Sequence, residues 1–289
     1  MENKIGVILY GKNDNYTVNY NKKVIFSINS FLEEFDEVVY VDWNSPKQSL
    51  IYELADFIPK TGKIHHIVVD APSLNEIALS SPCPKEIIVS TISGPLAVNI
   101  GLRRAKSDWI VISNPDIIGT KPDLSKLDDN TLYTTSRRYV PQLIWGDYTL
   151  LESSKLKTFL IENRDNFRRA PDSVSEDGQP IWYDKGDVWS MVVSCGDYQI
   201  ARKSLWHNIK GYEEKFYLRT YTDTNVMKKS VLIGGHVGKI DIPAFHLDEE
   251  RDSSKDVHNS YDECVYNFTQ TYNSDDWGAS AVPLFEEWI

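Results

Sequence analysis

Residues 99–117 read NIGLRRAKSDWIVISNPDI. The opening part holds a helical pattern to about Lys106. Ser93-Gly94-Pro95 just upstream puts a proline in that helix's first turn, where its missing N–H is an orphan in any case. DWIVIS (108–113) then reads as a buried strand and runs straight into Asn114-Pro115-Asp116. An acid just past the end of an apolar strand is placed to reach a ligand. It is also what a polar turn contains. The partners that the rest of the chain offers Asp116 decide between the two.

Upstream, strand and helix alternate. Ile5 to Tyr10 is a short apolar run closed by Gly11, and Val24, Ile28, Phe31, Leu32 and Phe35 fall at helical spacing. EVVYVDW (37–43) reads as a second strand followed by an NSP turn. HHIVVDA (65–71) and EIIVS (86–90) read as two more. Strands alternating with helices predict an α/β fold with a mainly parallel, doubly wound sheet and helices on both faces. Ligands of such sheets bind outside the carboxyl ends of the strands. Tyr10, Asp42, Asp70 and Asp116 all stand at those ends.

The second half is less regular. SSKLKTFLIENRDNF (153–167) predicts a helix, and RRAPDSVSEDGQP (168–180) a polar loop that is either a substrate lid or a surface connection. DTNVMKKSVLIGG (223–235) predicts a helix closed by a glycine pair. HVGKIDIPAFH (236–246) predicts a strand, and DVHNSYDECVYNFTQTY (256–272) a final amphipathic helix. No repeat and no low-complexity linker interrupts the chain. The expectation is one domain over 1–289, with a nucleotide-binding half (1–118) and an acceptor-binding, catalytic half (119–289).

The 289 residues carry a formal charge of −11, which argues against a nucleic-acid backbone as partner. It leaves room for one phosphorylated small molecule beside a divalent cation. No run approaches 18 apolar residues, so no transmembrane segment is expected, and the polar start, MENKIGVILYGKND, does not read as a signal peptide. Cys83, Cys195 and Cys264 are odd in number and widely spaced, which predicts reduced thiols and a cytoplasmic setting. Eight Trp and sixteen Tyr suit core packing, or a site where flat rings stack on sugars or bases.

Several chemistries lack their motif. GxGxxG and GxxxxGK[ST] are absent, as are GxSxG and a Cys–His pairing. What remains is the acids at strand ends, a late His246, and GDYQIARKSLWHNIKGYEE (196–214). This last stretch resembles the GDF-x-L-x-x-R-x-x-W-x-x-x-x-GY-x-E signature of family 2-like glycosyltransferases with the GT-A fold. Gly196, Asp197, Tyr198, Trp206, Gly211, Tyr212 and Glu214 stand at matching spacing. The 99–117 stretch resembles the approach to that family's metal-binding DXD, and VYVDWNSP resembles its VVDDGS strand end. The resemblance covers Ile5 to Trp277.

It implies a sugar moved from a UDP- or GDP-sugar to a hydroxyl of a glycan or other acceptor, with inversion. Asp42 would hold the nucleobase, and Tyr10, Asp70, Asn99 and Asn114 would line the nucleotide half. Asn114-Pro115-Asp116 replaces DXD, so Asp116 would be the main metal-binding acid. His246, in PAFHLDEE, would be its partner on Mn²⁺ or Mg²⁺. Asp223, in a passage like the family's GY-x-E…D, would be the catalytic base, with Glu213 and Glu214 as fallbacks. Asp223 is equally a helix cap by position. Asp197 and Trp189 would face the acceptor. Two rivals stay open: a nucleotidyltransferase making a nucleotide sugar, and a non-catalytic carbohydrate-binding protein. YGKNDNYTVNY has one Gly and one Lys, little with which to grip a triphosphate. Neither the oligomeric state nor the identity of the sugar is legible in the sequence.

Overall fold

A computed structural model describes residues 3–14, 19–169, 182–185, 188–191, 196–216, 222–248 and 273–289. The chain begins with β1 (Ile5–Gly11), α1 (Tyr20–Leu32), β2 (Glu37–Trp43), α2 (Leu50–Glu53), β3 (Ile64–Val69), α3 (Ala71–Ser80), α4 (Lys85–Ser90), α5 (Gly94–Arg104) and β4 (Trp109–Ser113). β5 (Ile117–Gly119), β6 (Thr131–Thr134), β7 (Arg137–Val140), α6 (Gln142–Trp145), α7 (Ser153–Glu162) and β8 (Arg168–Arg169) follow. Then come β9 (Trp182–Lys185), β10 (Val188–Met191), β11 (Tyr198–Arg202), α8 (Lys203–Asn208), α9 (Thr222–Leu232), β12 (His236–Lys239), β13 (Ala244–Leu247) and β14 (Phe285–Trp288).

The main sheet has the order β12-β6-β11-β4-β1-β2-β3-β14. Its centre is parallel: β1 pairs with β2 and β4, and β2 with β3. β11 enters antiparallel between β4 and β6, and β14 closes the other edge antiparallel to β3. Alternation along the central strands shows why helices cover both faces. Ile5, Val7 and Leu9 of β1 pack with Val24, Ile28 and Phe31 of α1, whereas Ile8 packs with Leu96 and Ile100 of α5. Trp109 and Val111 of β4 likewise join the α1 side, and Ile110 and Ile112 the α5 side.

A second sheet, β5-β13-β7-β8, starts where β4 ends. The Asn114-Pro115-Asp116 turn is therefore the junction between two sheets, which answers why a buried strand runs into polar residues. Buried Phe245, Leu247, Ile118, Trp145 and Leu160 form this sheet's own core.

The structure corrects three elements. EIIVS is not a strand but α4, with Pro84 at its N-cap and Ile88 packed inward. Three consecutive apolar residues fit either state, and the place beside β3 is taken by β14, which the sequence pattern did not signal. Residues 236–246 are two strands, not one. Pro243 has no N–H to continue a ladder, and β12 joins the main sheet while β13 joins the second. Of the 168–180 loop, Arg168–Arg169 is the short strand β8; the rest, and the helix expected over 256–272, lie outside the described residues. Among the described residues no helix is long and apolar enough to cross a membrane. Cys83 is a free, buried thiol whose pKa burial pushes up to about 12.

Candidate functional site

Strand pairing assembles the first cluster. β13 lies antiparallel to β5 with His246 opposite Ile117, and the Leu247 amide donates to the Asp116 carbonyl at 2.9 Å. That register sets His246 Nε2 3.4 Å from Asp116 Oδ2. Burial alone disfavours a charged imidazole, but the Asp116 carboxylate outweighs it, Asp197 adds to the pull, and the His246 pKa ends above its ordinary value. Lys23 reaches the same carboxylate from α1, with Nζ 3.9 Å from Asp116 Oδ2, and is itself buried.

The antiparallel entry of β11 builds the second cluster. Tyr198 pairs with Ser113, so Asp197 arrives beside Asn114. Ser113 Oγ donates to the Asp197 carbonyl at 2.8 Å, Asn114 Nδ2 donates to the Asp197 carboxylate, and Arg137 of β7 forms an ion pair with it. Arg137 also donates to the Tyr139 hydroxyl at 2.7 Å and lies over that ring at 4.8 Å. Tyr139 meets the His246 ring edge-on, centroids 5.8 Å apart, and so links the two clusters.

Asp223 completes the group from the first turn of α9. Its carboxylate accepts from the Gly196 amide and from the Thr224 amide, each at 2.9 Å. A Cβ on residue 196 would lie 2.8 Å from Asp223 Oδ2, so this contact requires glycine. Burial is the main influence on the Asp223 pKa and raises it to about 6; Asp197 pushes the same way against the two amides. Desolvation outweighs the amides there.

Tyr10, Asp42 and Asp70 stand at the ends of β1, β2 and β3, as their spacing predicted. The Tyr10 hydroxyl lies 3.0 Å from where a Cβ on Gly94 would be, over the start of α5. Asp42 is 1% exposed and accepts from Ser45 N at 3.2 Å and Ser45 Oγ at 3.0 Å. Asp70 is exposed and caps α3, accepting from the Ser73 amide at 2.9 Å.

Asn99 does not line this site. It is 0% exposed, donates to the Tyr212 carbonyl at 2.8 Å and to Glu214 Oε1 at 2.9 Å, and accepts from the Tyr212 amide at 2.8 Å. Its buried helix face turns it to the GYEE segment, not to the strand ends. Glu214 also accepts from the Gly278 amide at 2.7 Å, and Glu213 faces Lys229 at 3.6 Å, so both fallback acids belong to that buried network. Trp189 falls on β10 opposite Asp184; its side chain lies outside the described residues.

Lys23, Arg137 and Tyr139 were missed. The signal for Lys23 was a polar stripe of Lys23, Ser27 and Ser30 at helical spacing on a helix otherwise buried. Arg137 and Tyr139 were marked by their two-residue spacing on one strand face.

Asp116 and His246 form an oxygen–nitrogen pair that suits a borderline divalent cation such as Mn²⁺. Among the described residues no group of three His, Cys, Asp or Glu converges, and Asn114 is engaged by Asp197. A cation here would take two protein ligands and draw the rest from phosphate oxygens and water.

No protein-family model and no curated protein matches the sequence. Solved structures match the fold. S. aureus TarS 1-349 in complex with UDP-GlcNAc is 15% identical with a TM-score of 0.52, over 90% of this chain and 63% of that one. Mannosyltransferase PcManGT from Pyrobaculum calidifontis, in complex with GDP-Man and Mn²⁺, is 14% identical with a TM-score of 0.52, over 87% of this chain and 59% of that one. GalNAc-T7 with UDP, GalNAc and Mn²⁺ is 12% identical with a TM-score of 0.54, over 86% and 44%. This chain spans less than two thirds of the length of each. At such identities the likeness is one of architecture, and the architecture this chain shares with them is the GT-A fold of glycosyltransferases.

Proposed function

We propose that this chain transfers a sugar from a nucleotide-diphosphate sugar, UDP- or GDP-linked, to a hydroxyl of a glycan or other acceptor, with inversion. The observation that carries the reading is Asp223. It is a carboxylate fixed by two amides, with a pKa of about 6, beside Asp197, whose charge also acts on His246 of the Asp116–His246 pair. A general base works best with a pKa near the operating pH.

In this reading Tyr10, Asp42 and Asp70 face the nucleoside, and Asn114 and Asp116 face the diphosphate. The acceptor oxygen attacks the anomeric carbon, its proton passes to Asp223, and the bond to the diphosphate breaks with its electron pair. Mn²⁺ or Mg²⁺ held by Asp116 and His246 would supply positive charge to offset what gathers on the leaving diphosphate. Lys23 adds a fixed positive charge on the same side. Asp197, oriented by Asn114 and Arg137, and Trp189 take the acceptor side.

The neighbours captured with UDP-GlcNAc, GDP-Man and UDP support a nucleotide-sugar donor. The test is thermal stabilisation by UDP- and GDP-sugars with and without Mn²⁺, together with donor hydrolysis. Stabilisation by at least one donor, with slow release of its sugar, supports the reading. Stabilisation by none removes it. A carbohydrate-binding protein would respond to free glycans only, and a nucleotidyltransferase to nucleoside triphosphates.

A further inference from the structure

One face of β11 meets α9, the helix that carries Asp223. Successive residues of a strand point to opposite sides. Tyr198 and Ile200 enter the α1-side core, whereas Ala201 packs in the other core with Val226 and Met227 of α9. Gln199 shares the Ala201 side and is fully buried there. Its Nε2 donates to the Asp223 carbonyl at 3.2 Å, and its Oε1 accepts from the Tyr212 hydroxyl. One side chain of β11 thus links the main chain of the proposed base to a ring of the GYEE segment.

Tyr212 is a fixed anchor. Asn99 of α5 donates to its carbonyl and accepts from its amide, each at 2.8 Å. Its ring stacks on Trp206, centroids 6.2 Å apart at 17°, and Trp206 Nε1 donates to the Ile110 carbonyl of β4 at 3.1 Å. Farther along α9, Lys229 Nζ donates to the Gly211 carbonyl at 2.8 Å. The GYEE segment therefore holds α9 both at Asp223 and at Lys229. An apolar side chain at 199 would fill the space beside Ala201 without burying an amide. A satisfied polar chain adds direction and rigidity that an apolar contact lacks.

We infer that Gln199 and Tyr212 are positioning residues that set where Asp223 stands against the acceptor oxygen. The inference rests on the proposed transferase reading, since it assigns how the base of that reaction is held. The Gly196 and Thr224 amides orient the carboxylate, while Gln199 and Tyr212 fix the main chain from which it springs. Both side chains are buried, so they act through Asp223 and not on substrate. A displacement of about 1 Å at a reacting group is enough to slow a reaction by up to roughly 10²-fold.

The experiment compares wild type, Gln199→Met, Tyr212→Phe and the double variant. Release of nucleoside diphosphate from a UDP-sugar and a GDP-sugar is followed with water as acceptor, its proton passing to Asp223. The Asp223 carboxyl is titrated by carboxyl-carbon NMR, which needs no substrate. Gln199→Met keeps the side-chain length, and Tyr212→Phe keeps the stacked ring and loses one oxygen. Each should lower kcat roughly tenfold with donor KM within about twofold of wild type. The Asp223 pKa, about 6 in wild type, should fall in each, because a carboxylate released toward water loses the burial that raises it. The double variant should be no slower than the slower single, since both changes break one chain. Thermal melting reports folding, and if Gln199→Met does not fold, Tyr212→Phe carries the test alone. An unmoved Asp223 pKa or a wild-type kcat in the folded variants overturns the inference, as does a donor KM that rises as steeply as kcat falls. A wild type that neither binds nor hydrolyses any donor overturns the transferase reading instead, and the titration still decides whether Gln199 and Tyr212 hold Asp223 in place.

Discussion

The Asp223 carboxylate accepts the Gly196 amide at 2.9 Å, and nothing larger than glycine fits at 196, since an added Cβ would stand 2.7 Å from the Asp223 Cβ. The glycine that opens the GDY motif is therefore a spacer that lets the proposed base approach Asp197. Gly196→Ala should push Asp223 aside without touching the nucleotide end of the sheet. We predict transfer slowed roughly 10²-fold, the scale of a misplaced catalytic group, with UDP or GDP stabilisation retained. Transfer at the wild-type rate would show that the contact plays no part in turnover.

Asp223 gives a pH signature. Its pKa is raised to about 6, so activity should climb through pH 6 as the carboxylate ionises and level off above. Stability runs the other way. A folded pKa above the unfolded one makes the protonated acid a stabilising group, fully so below about pH 4, and that contribution is lost as pH rises through 6. Asp223→Asn should remove the pH-6 limb and lower turnover roughly 10²–10⁴-fold. It also turns an N–H₂ toward one of the two amides, costing about 1–3 kcal/mol in chemical unfolding. An unchanged pH–rate profile in the variant would move the base elsewhere.

Much of this site was legible because strands have a short, strict period. The alternation that buries Ile8 on one face and Val7 on the other also fixes which residue ends each strand, so Tyr10, Asp42, Asp70 and Asp116 could be placed without coordinates. Asp116 and His246 were paired only through the family resemblance, and Asp197 and Asp223 were readable as parts but not as neighbours. Their meeting depends on the registers of β5 with β13 and of β4 with β11, pairings between residues far apart in the chain. Lys23 and Arg137 were missed for the same reason. A lysine on a helix reads as solvated until the helix is known to be covered on both sides.

Asn99 shows where the motif reading misled. A side chain with no exposure and three hydrogen bonds to the GYEE segment stabilises the fold rather than a ligand. Asn99→Ala leaves the Tyr212 amide and carbonyl and the Glu214 carboxylate short of buried partners. Unfolding free energy should fall by about 3 kcal/mol, while the folded protein keeps its nucleotide affinity. A stable variant with weakened nucleotide binding would restore Asn99 to the donor site.

The last prediction concerns the Asp116–His246 pair, where a proton and a divalent cation compete for one ring nitrogen. The Asp116 carboxylate holds the His246 pKa above its ordinary value despite burial, so it favours the protonated ring in the 3.4 Å pair. That pair stabilises the fold fully below the unfolded histidine pKa, about 6.5, and the contribution fades as pH rises through the higher folded value. A cation ligand must be neutral imidazole, so Mn²⁺ binding has to release the proton. Nucleotide stabilisation that depends on Mn²⁺ should therefore grow from pH 6 to pH 8. Asp116→Ala should abolish the Mn²⁺-linked part, and His246→Gln should flatten its pH dependence. EDTA should return the wild type to its metal-free melting temperature. If UDP or GDP stabilises Asp116→Ala as well as wild type with Mn²⁺ present, the pair is a structural ion pair, and the donor's charge is met by Lys23 and Arg137 instead.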